Sequence, residues 1–103
     1  MKEIKAYVRA HRTDAVIDAL TALPDLPAIA VVPLKEIAHG VDGGRLRTVD
    51  MVKLEIDVAD AQVEPVVETL LAAARTGAGH PGDGKIQVSD VAATVDIASG
   101  QRV

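Results

Sequence analysis

The chain has 103 residues, 49% hydrophobic and 25% charged, with a net charge of −4 and no cysteine. This length predicts a single domain spanning residues 1–103, and the lack of cysteine excludes disulfides and thiolate metal sites. The acidic balance and the single aromatic residue, Tyr7, exclude general nucleic-acid binding. No apolar run reaches 18 residues and no basic-then-apolar leader opens the sequence, so we expect a cytoplasmic protein without direct membrane insertion.

The first half of the chain reads as strand, helix and strand. Apolar and mostly polar side chains alternate over residues 4–8, which predicts a strand with one buried face. Residues 14–20 place their apolar side chains on one helical stripe, and Thr13 or Asp14 can cap the start of that helix. A second strand is predicted at residues 28–34.

The same pattern recurs fifty positions later. A strand is predicted at residues 54–58, a helix at 64–70 with Asp60 as its cap and Pro65 in its first turn, and a strand at 85–89. Two β-α-β units predict an α+β fold, the ferredoxin-like βαββαβ sandwich with two helices on one face of an antiparallel sheet. The mean hydropathy of +0.21 is high for a small monomer and indicates buried subunit contacts.

Two segments fall outside these units. Residues 37–48 contain Asp42, Gly43 and Gly44, which favour a hairpin turn, so we expect the segment to project as a loop. Residues 91–97 alternate with small side chains and predict a short fifth strand.

A glycine-rich loop joins the second helix to the last predicted strand. From Gly79 to Lys85 the spacing is that of a phosphate-binding P-loop, but Ile86 follows where that loop needs serine or threonine. The loop also leaves a helix and enters a strand, the reverse of the P-loop order, which excludes a P-loop NTPase. Two interpretations remain: an anion nest with Lys85 at its rim, or a helix cap at Gly77 followed by a loose turn.

Residues 75–86 resemble the nucleotide loop of the PII signal-transduction proteins, whose usual form is T-G-x-x-G-D-G-K-I. This chain carries two extra residues within the loop, and the resemblance continues along nearly the whole sequence. It implies a homotrimer that binds an adenine nucleotide, ADP, AMP or ATP, between subunits as a regulatory ligand. It also implies that the central loop reports the bound ligand to a target protein.

The resemblance assigns one set of residues to nucleotide binding. They are Gly82, Asp83, Gly84 and Lys85 around the phosphates, Lys35, Glu36, Ile37 and Ala38 over the base and ribose, and Glu55 and Tyr7 in the cleft. Arg102, which matches no family position, is added to this set as a further candidate phosphate cation. For Tyr7, the outer face of the sheet is an equal alternative.

This sequence departs from the PII pattern in its last strand, where two phosphate-binding arginines correspond to Asp96 and Ala98. Each hydrogen bond to a charged group contributes roughly 1.5–3 kcal/mol, so we expect ADP or AMP to compete well with ATP. Arg102, or Arg45 and Arg47 in the central loop, could compensate for the missing cations.

The central loop also departs from the PII pattern. It is shorter, lacks tyrosine, and has Gly40 where the family has the glutamine that holds magnesium and 2-oxoglutarate. Nitrogen sensing and nucleotidylation are therefore not expected. The chain resembles divergent branches linked to bicarbonate, carboxysomes, ion transporters or metal efflux, so the target is expected to be a membrane transporter or a carboxysome component.

Two other classes of protein offer alternative interpretations of the sequence. The CutA-type proteins, metal-tolerance trimers of the same fold, would use His11, His39 and His80 as soft-metal ligands, but they lack the G-D-G-K loop. An enzyme is not expected, because the sequence has no cysteine nucleophile and no G-x-S-x-G elbow. We therefore expect no catalytic residue, no resident cofactor and no dedicated metal site.

Overall fold

The computed structural model describes residues 1–40 and 43–103. Its elements in chain order are β1 (Lys2–Arg9), α1 (Thr13–Thr21), β2 (Ala30–His39), β3 (Leu46–Val58), α2 (Val63–Ala74) and β4 (Gly84–Asp90). The predicted βαββαβ order is therefore confirmed.

The four strands form one antiparallel sheet in the order β2-β3-β1-β4. β1 lies between β3 and β4, so that Tyr7 pairs with Lys53 on one side and with Lys85 on the other. This is the sheet of the ferredoxin-like fold, in which two β-α-β units interleave their strands. The arrangement brings the end of β1 beside the start of β4, directly after the glycine loop.

The core lies between one face of the sheet and the two helices. Alternate residues of the central strands are buried there, together with one stripe from each helix. They are Ile4, Ala6 and Val8 of β1, Leu54, Ile56 and Val58 of β3, and Val16, Leu20, Val66 and Leu70 of the helices. Each of the larger side chains contributes roughly 1.5–3 kcal/mol through burial. The other face of the sheet carries the polar residues of the same strands.

The predicted helix caps are wrong. A single turn of 3-10 helix precedes each α-helix, at Ala10–Arg12 and at Asp60–Gln62. Thr13 and Asp14 therefore lie inside α1, and the Thr13 hydroxyl donates to the Ala10 carbonyl at 2.8 Å. Asp60 begins the second 3-10 turn, three residues before α2.

The end of α2 is held by an arginine and not by a glycine. Arg12 donates from Nε and Nη2 to the carbonyl oxygen of Ala73, at 3.0 and 2.6 Å. Arg75 is already extended, with φ −63° and ψ 141°, so Gly77 does not cap the helix. A guanidinium at a helix C-terminus satisfies an orphan carbonyl and opposes the helix dipole.

The central segment differs most from its prediction. Instead of a loop, β2 and β3 run on as a paired ribbon, with Lys35 opposite Asp50 and His39 opposite Leu46. At its tip the Gly40 amide donates to the Arg45 carbonyl at 2.7 Å, whereas Asp42, predicted in the turn, lies outside the described residues. The ribbon extends the molecule to 51 Å along one axis, against 24 and 20 Å along the others.

The predicted fifth strand is also wrong. Residues 91–103 fold back on themselves, joined by a single bridge between Val95 and Arg102 and by the Val103 amide donating to Thr94 at 3.0 Å. Ile97 is fully exposed, so the apolar alternation in this segment meets no core. The segment begins where the Val91 amide donates to Met1 at 3.2 Å, about 20 Å along the sheet from the glycine loop.

Candidate functional site

The glycine loop is an ordered structure built around the carboxylate of Asp83. The Thr76 hydroxyl donates to Asp83 Oδ1 at 2.6 Å, and the amides of Thr76 and His80 donate to Oδ2 at 3.1 and 2.9 Å. Arg9 Nε donates to Oδ1 at 2.9 Å from the end of β1. The Asp83 side chain therefore links the start of the loop to its end and, through Arg9, binds the loop to the sheet.

Two consecutive turns shape the loop. The Gly79 amide donates to Thr76 at 3.0 Å, and the Asp83 amide donates to His80 at 3.1 Å. The second turn has proline and then glycine at its centre, and Gly82 has φ +90°, as the third residue of a type II turn requires. Asp83 accepts from the amides of Thr76 and His80, the first residues of the two turns, whereas the Gly82 amide makes no hydrogen bond within the described residues.

The hydrogen bonds to Asp83 hold its pKa well below the usual range of a carboxyl, led by the Thr76 hydroxyl and followed by the His80 amide, Arg9 and the Thr76 amide. An aspartate in an unfolded chain titrates near a pH of about 3.9. Because the folded pKa is lower than this value, the stability that Asp83 contributes is complete at neutral pH and is lost as the pH falls through and below the unfolded value.

We therefore expect Asp83→Asn to flatten the acid limb of the stability curve. Urea unfolding measured from pH 7 down to about pH 3 should show a smaller loss of unfolding free energy than in the wild type. Asp90→Asn is the matched control, because Asp90 has a lowered pKa from an exposed pair with Lys2 and should change the curve less. An unchanged acid limb in Asp83→Asn would contradict the role of this carboxylate.

A groove of about 530 Å³ lies between the glycine loop, the end of β1 and the inner part of the ribbon. Its lining residues come from four parts of the chain. They are Tyr7 and Arg9 of β1, Glu36, Ala38, His39 and Gly40 of the β2 side, Arg47, Val49 and Met51 of β3, and Pro81, Gly82, Gly84 and Lys85 of the glycine loop and β4. A ligand in this groove would contact the loop and the ribbon together.

The groove combines cations with an apolar floor. Arg9, Arg47 and Lys85 supply positive charge, whereas Glu36 supplies one negative charge. The Lys85 ammonium lies 5.0 Å from the centre of the Tyr7 ring, a cation–π distance. Met51, 3% exposed, underlies the groove beside them. Such a surface suits a ligand with an apolar planar part and an anionic part.

Comparison with known proteins decides the family. The family model "Nitrogen regulatory protein P-II" matches residues 1–101. This chain belongs to the PII family. PII proteins are regulatory signal-transduction proteins and not enzymes, so the resemblance noted in the sequence and the expectation of a non-enzyme are confirmed.

Curated PII relatives match along nearly their whole length. The nitrogen regulatory protein P-II of Microchaete diplosiphon is 34% identical over 113 aligned positions, covering 99% of this chain and 96% of the relative. The corresponding proteins of Rhizobium meliloti (strain 1021) and Cereibacter sphaeroides are 34% and 32% identical, each covering 98% of this chain and 95% of the relative. The alignments are longer than this chain, so these PII proteins carry residues that it lacks.

The structure brings together about half of the residues that the PII resemblance assigns to nucleotide binding. Those that line the groove are Gly82, Gly84, Lys85, Tyr7, Glu36 and Ala38. Asp83 lies behind them and holds the loop in shape. Two positions were expected for Tyr7, the nucleotide cleft and the outer face of the sheet. They are the same place, because the open face of the sheet at Tyr7 also lines the groove.

The remaining assigned residues lie elsewhere in this single chain. Lys35 and Ile37 point to the opposite side of the ribbon from Glu36, and Lys35 Nζ pairs with Asp50 at 2.6 Å. Glu55 lies further along the open face, paired with Lys53 at 2.9 Å. Arg102 lies in the C-terminal segment, at the other end of the sheet.

Sequence reasoning did not find Arg9 and Met51. Arg9 follows an alternating strand and reads as a solvated arginine, and its partner Asp83 is 74 positions away. Met51 precedes the predicted second-half strand and reads as an ordinary core residue. No local pattern marks either residue, since both acquire their roles only when β1, β3 and the glycine loop meet.

The three histidines do not form a metal centre. His39 lies by the groove, His80 bonds through Nδ1 to the Thr76 carbonyl at 2.6 Å, and His11 is on the 3-10 turn before α1. Among residues 1–40 and 43–103, no group of three or more histidine, aspartate or glutamate side chains is placed to hold a metal ion. The CutA-type alternative therefore gains no support from the geometry.

Within residues 1–40 and 43–103, no helix is long and apolar enough to cross a membrane.

Proposed function

We propose that this PII protein is a sensor that binds an adenine nucleotide in the groove and controls a target protein through the ribbon. The observation that carries the proposal is the shared lining: Lys85 and Gly82 on one side, Glu36 and Arg47 on the other. A single bound molecule would therefore touch both the anion-binding loop and the segment that extends away from the body.

The chemistry of the lining supports a nucleotide. Glycine amides and Lys85 suit phosphate, and the floor beside Tyr7 and Met51 suits a purine ring. Among the described residues, Arg9 is already paired with Asp83, and Glu36 offsets one further charge. Few cations remain for a long phosphate chain, which favours ADP and AMP over ATP.

We propose a homotrimer in which nucleotide sites lie between subunits. The groove of a single chain is open, and the open face of the sheet carries half-buried charged pairs such as Lys53 with Glu55. A second copy over this face would close the groove and desolvate the ligand.

The signalling step is a shift in population. The ribbon's inner residues Glu36, Ala38 and Arg47 gain contacts to the ligand when the groove is occupied, so the ligand favours the ribbon state that makes them. Only a ligand with different affinity for two ribbon states can change which state a target meets. The proposed target is a membrane transporter or a carboxysome component.

Calorimetric titration of the wild type with AMP, ADP and ATP tests the function. We expect saturable binding with a Kd below about 1 mM, which corresponds to about −4.1 kcal/mol, and no weaker binding of ADP than of ATP. GDP is the matched control for the purine base, and each titration is repeated with bicarbonate to test a second small ligand. Failure of all three adenine nucleotides to bind at millimolar concentration would contradict the proposal. Sedimentation of the same sample tests the trimer.

A further inference from the structure

Arg9 lies where β1 ends and the groove begins. Its side chain is 26% exposed, and its guanidinium donates from Nε to Asp83 Oδ1 at 2.9 Å and from Nη2 to the Pro81 carbonyl at 3.1 Å. The guanidinium also lies against Gly82, where an added Cβ would be 3.4 Å from Nη2. One side chain of the sheet therefore contacts three consecutive residues of the glycine loop.

We propose that Arg9 is the positioning residue of the anion site: it fixes the glycine loop against the sheet so that Gly82 and Lys85 face one ligand together. This inference rests on the proposed function, since it concerns the same groove. Arg9 acts on the ligand through the loop that it holds.

The hydrogen bonds of the loop support this role. The bonds from Thr76 and His80 to Asp83 close the loop on itself but do not fix where it lies relative to the strands. Arg9 is the side chain outside the loop that forms hydrogen bonds to it, among the described residues that precede β4. Without it, the carboxylate of Asp83 would lose a donor, the amide bonds that close the loop would weaken, and the loop would shift relative to the strands.

The length of the loop makes this anchor more important. The loop is two residues longer than the PII pattern T-G-x-x-G-D-G-K-I, and a longer loop has more conformations to restrict. The bond to the Pro81 carbonyl holds the added length at the turn before Gly82. A guanidinium can hold two acceptors at fixed positions, whereas a lysine ammonium at the same place is a flexible point charge.

Three variants separate positioning from charge. Arg9→Gln removes both, and Arg9→Lys keeps the charge while losing the two-point contact. Lys2→Gln is the matched control for net charge, because Lys2 pairs with Asp90 at the far end of β1 from the loop. Each protein is titrated with ADP and with inorganic pyrophosphate, and amide hydrogen exchange is measured by NMR without ligand.

We expect Arg9→Gln to weaken ADP and pyrophosphate binding by about tenfold or more and to speed exchange of the Thr76 and His80 amides by a similar factor. Arg9→Lys should restore little of either, and Lys2→Gln should change both by less than about threefold. Wild-type exchange rates in Arg9→Gln, or full recovery of affinity in Arg9→Lys with exchange still fast, would overturn the inference.

The two ligands keep this inference distinct from the proposed function. Pyrophosphate tests the anion site without the adenine base. If the wild type binds pyrophosphate but no adenine nucleotide, the proposed function fails, while a loss of pyrophosphate affinity in Arg9→Gln still supports the positioning role. Equal pyrophosphate binding in the wild type and Arg9→Gln, or no binding to either, would overturn that role.

Discussion

Gly84→Ala is expected to lower the free energy of unfolding by about 4 kcal/mol or more, a large part of the 5–15 kcal/mol typical of a domain. Gly84 begins β4 beside β1, and an added Cβ would lie 1.7 Å from the carbonyl oxygen of Tyr7. No side-chain rotation relieves a clash between a Cβ and backbone. The start of β4 must therefore separate from β1, which also displaces Lys85 from the groove.

The control for this prediction is Gly79→Ala. Gly79 has φ +109° against +116° for Gly84, but an added Cβ there meets nothing within 4 Å. Its substitution should cost only the backbone strain of a left-handed alanine, about 1–3 kcal/mol. Urea unfolding of the two variants isolates the contact with Tyr7 as their difference, and equal losses of stability would contradict the close approach of β4 to β1.

The parts of the fold that bury a face were predictable from the sequence. β1 and the half of β3 that pairs with it alternate apolar and polar side chains. They do so because Ile4 and Leu54 contact the helices, whereas Lys5 and Glu55 lie on the other face of the sheet. The repeat of the pattern after fifty residues then leaves few sheet topologies to consider. Periodicity reports burial, so it predicts well where a core lies underneath.

The parts without a core underneath were not predictable in the same way. In the ribbon, Ile37 is 74% and Leu46 is 67% exposed, so backbone pairing across the hairpin, and not burial, makes these residues strands. The C-terminal segment shows the reverse error, since Val95 and Ile97 alternate but remain exposed. Pairing leaves little trace in a single sequence, and alternation without a partner is not a strand.

The same distinction explains the site. The PII resemblance assigns Gly84 and Lys85 through a motif that is local in sequence, and both residues line the groove. Residues 35–38 were assigned together as one segment, but in a paired strand neighbouring side chains face opposite sides, so only Glu36 and Ala38 reach the groove. Arg9 depends on a contact between distant parts of the chain and had no local signal.

Lys85→Met is expected to raise the Kd for ADP by about ten- to a hundredfold. The lysine lies at the start of β4, between the glycine loop and Tyr7. On the loop side of the groove, its ammonium is a cation that pairs with no carboxylate of the described residues. Losing a hydrogen bond to a charged group costs roughly 1.5–3 kcal/mol, which corresponds to one to two powers of ten in affinity. Methionine keeps an apolar stem of similar length over Tyr7, so the packing changes little.

Adenosine, which has no phosphate, makes this prediction specific. If Lys85 holds phosphate, adenosine should bind the wild type and Lys85→Met equally, and the loss should grow from AMP to ADP. Lys2→Met is the matched control for net charge, because Lys2 pairs with Asp90 at the far end of β1. Calorimetry that found the same loss for adenosine as for ADP, or the same loss in Lys2→Met, would show that Lys85 supports the shape of the groove or its overall charge and does not bind phosphate.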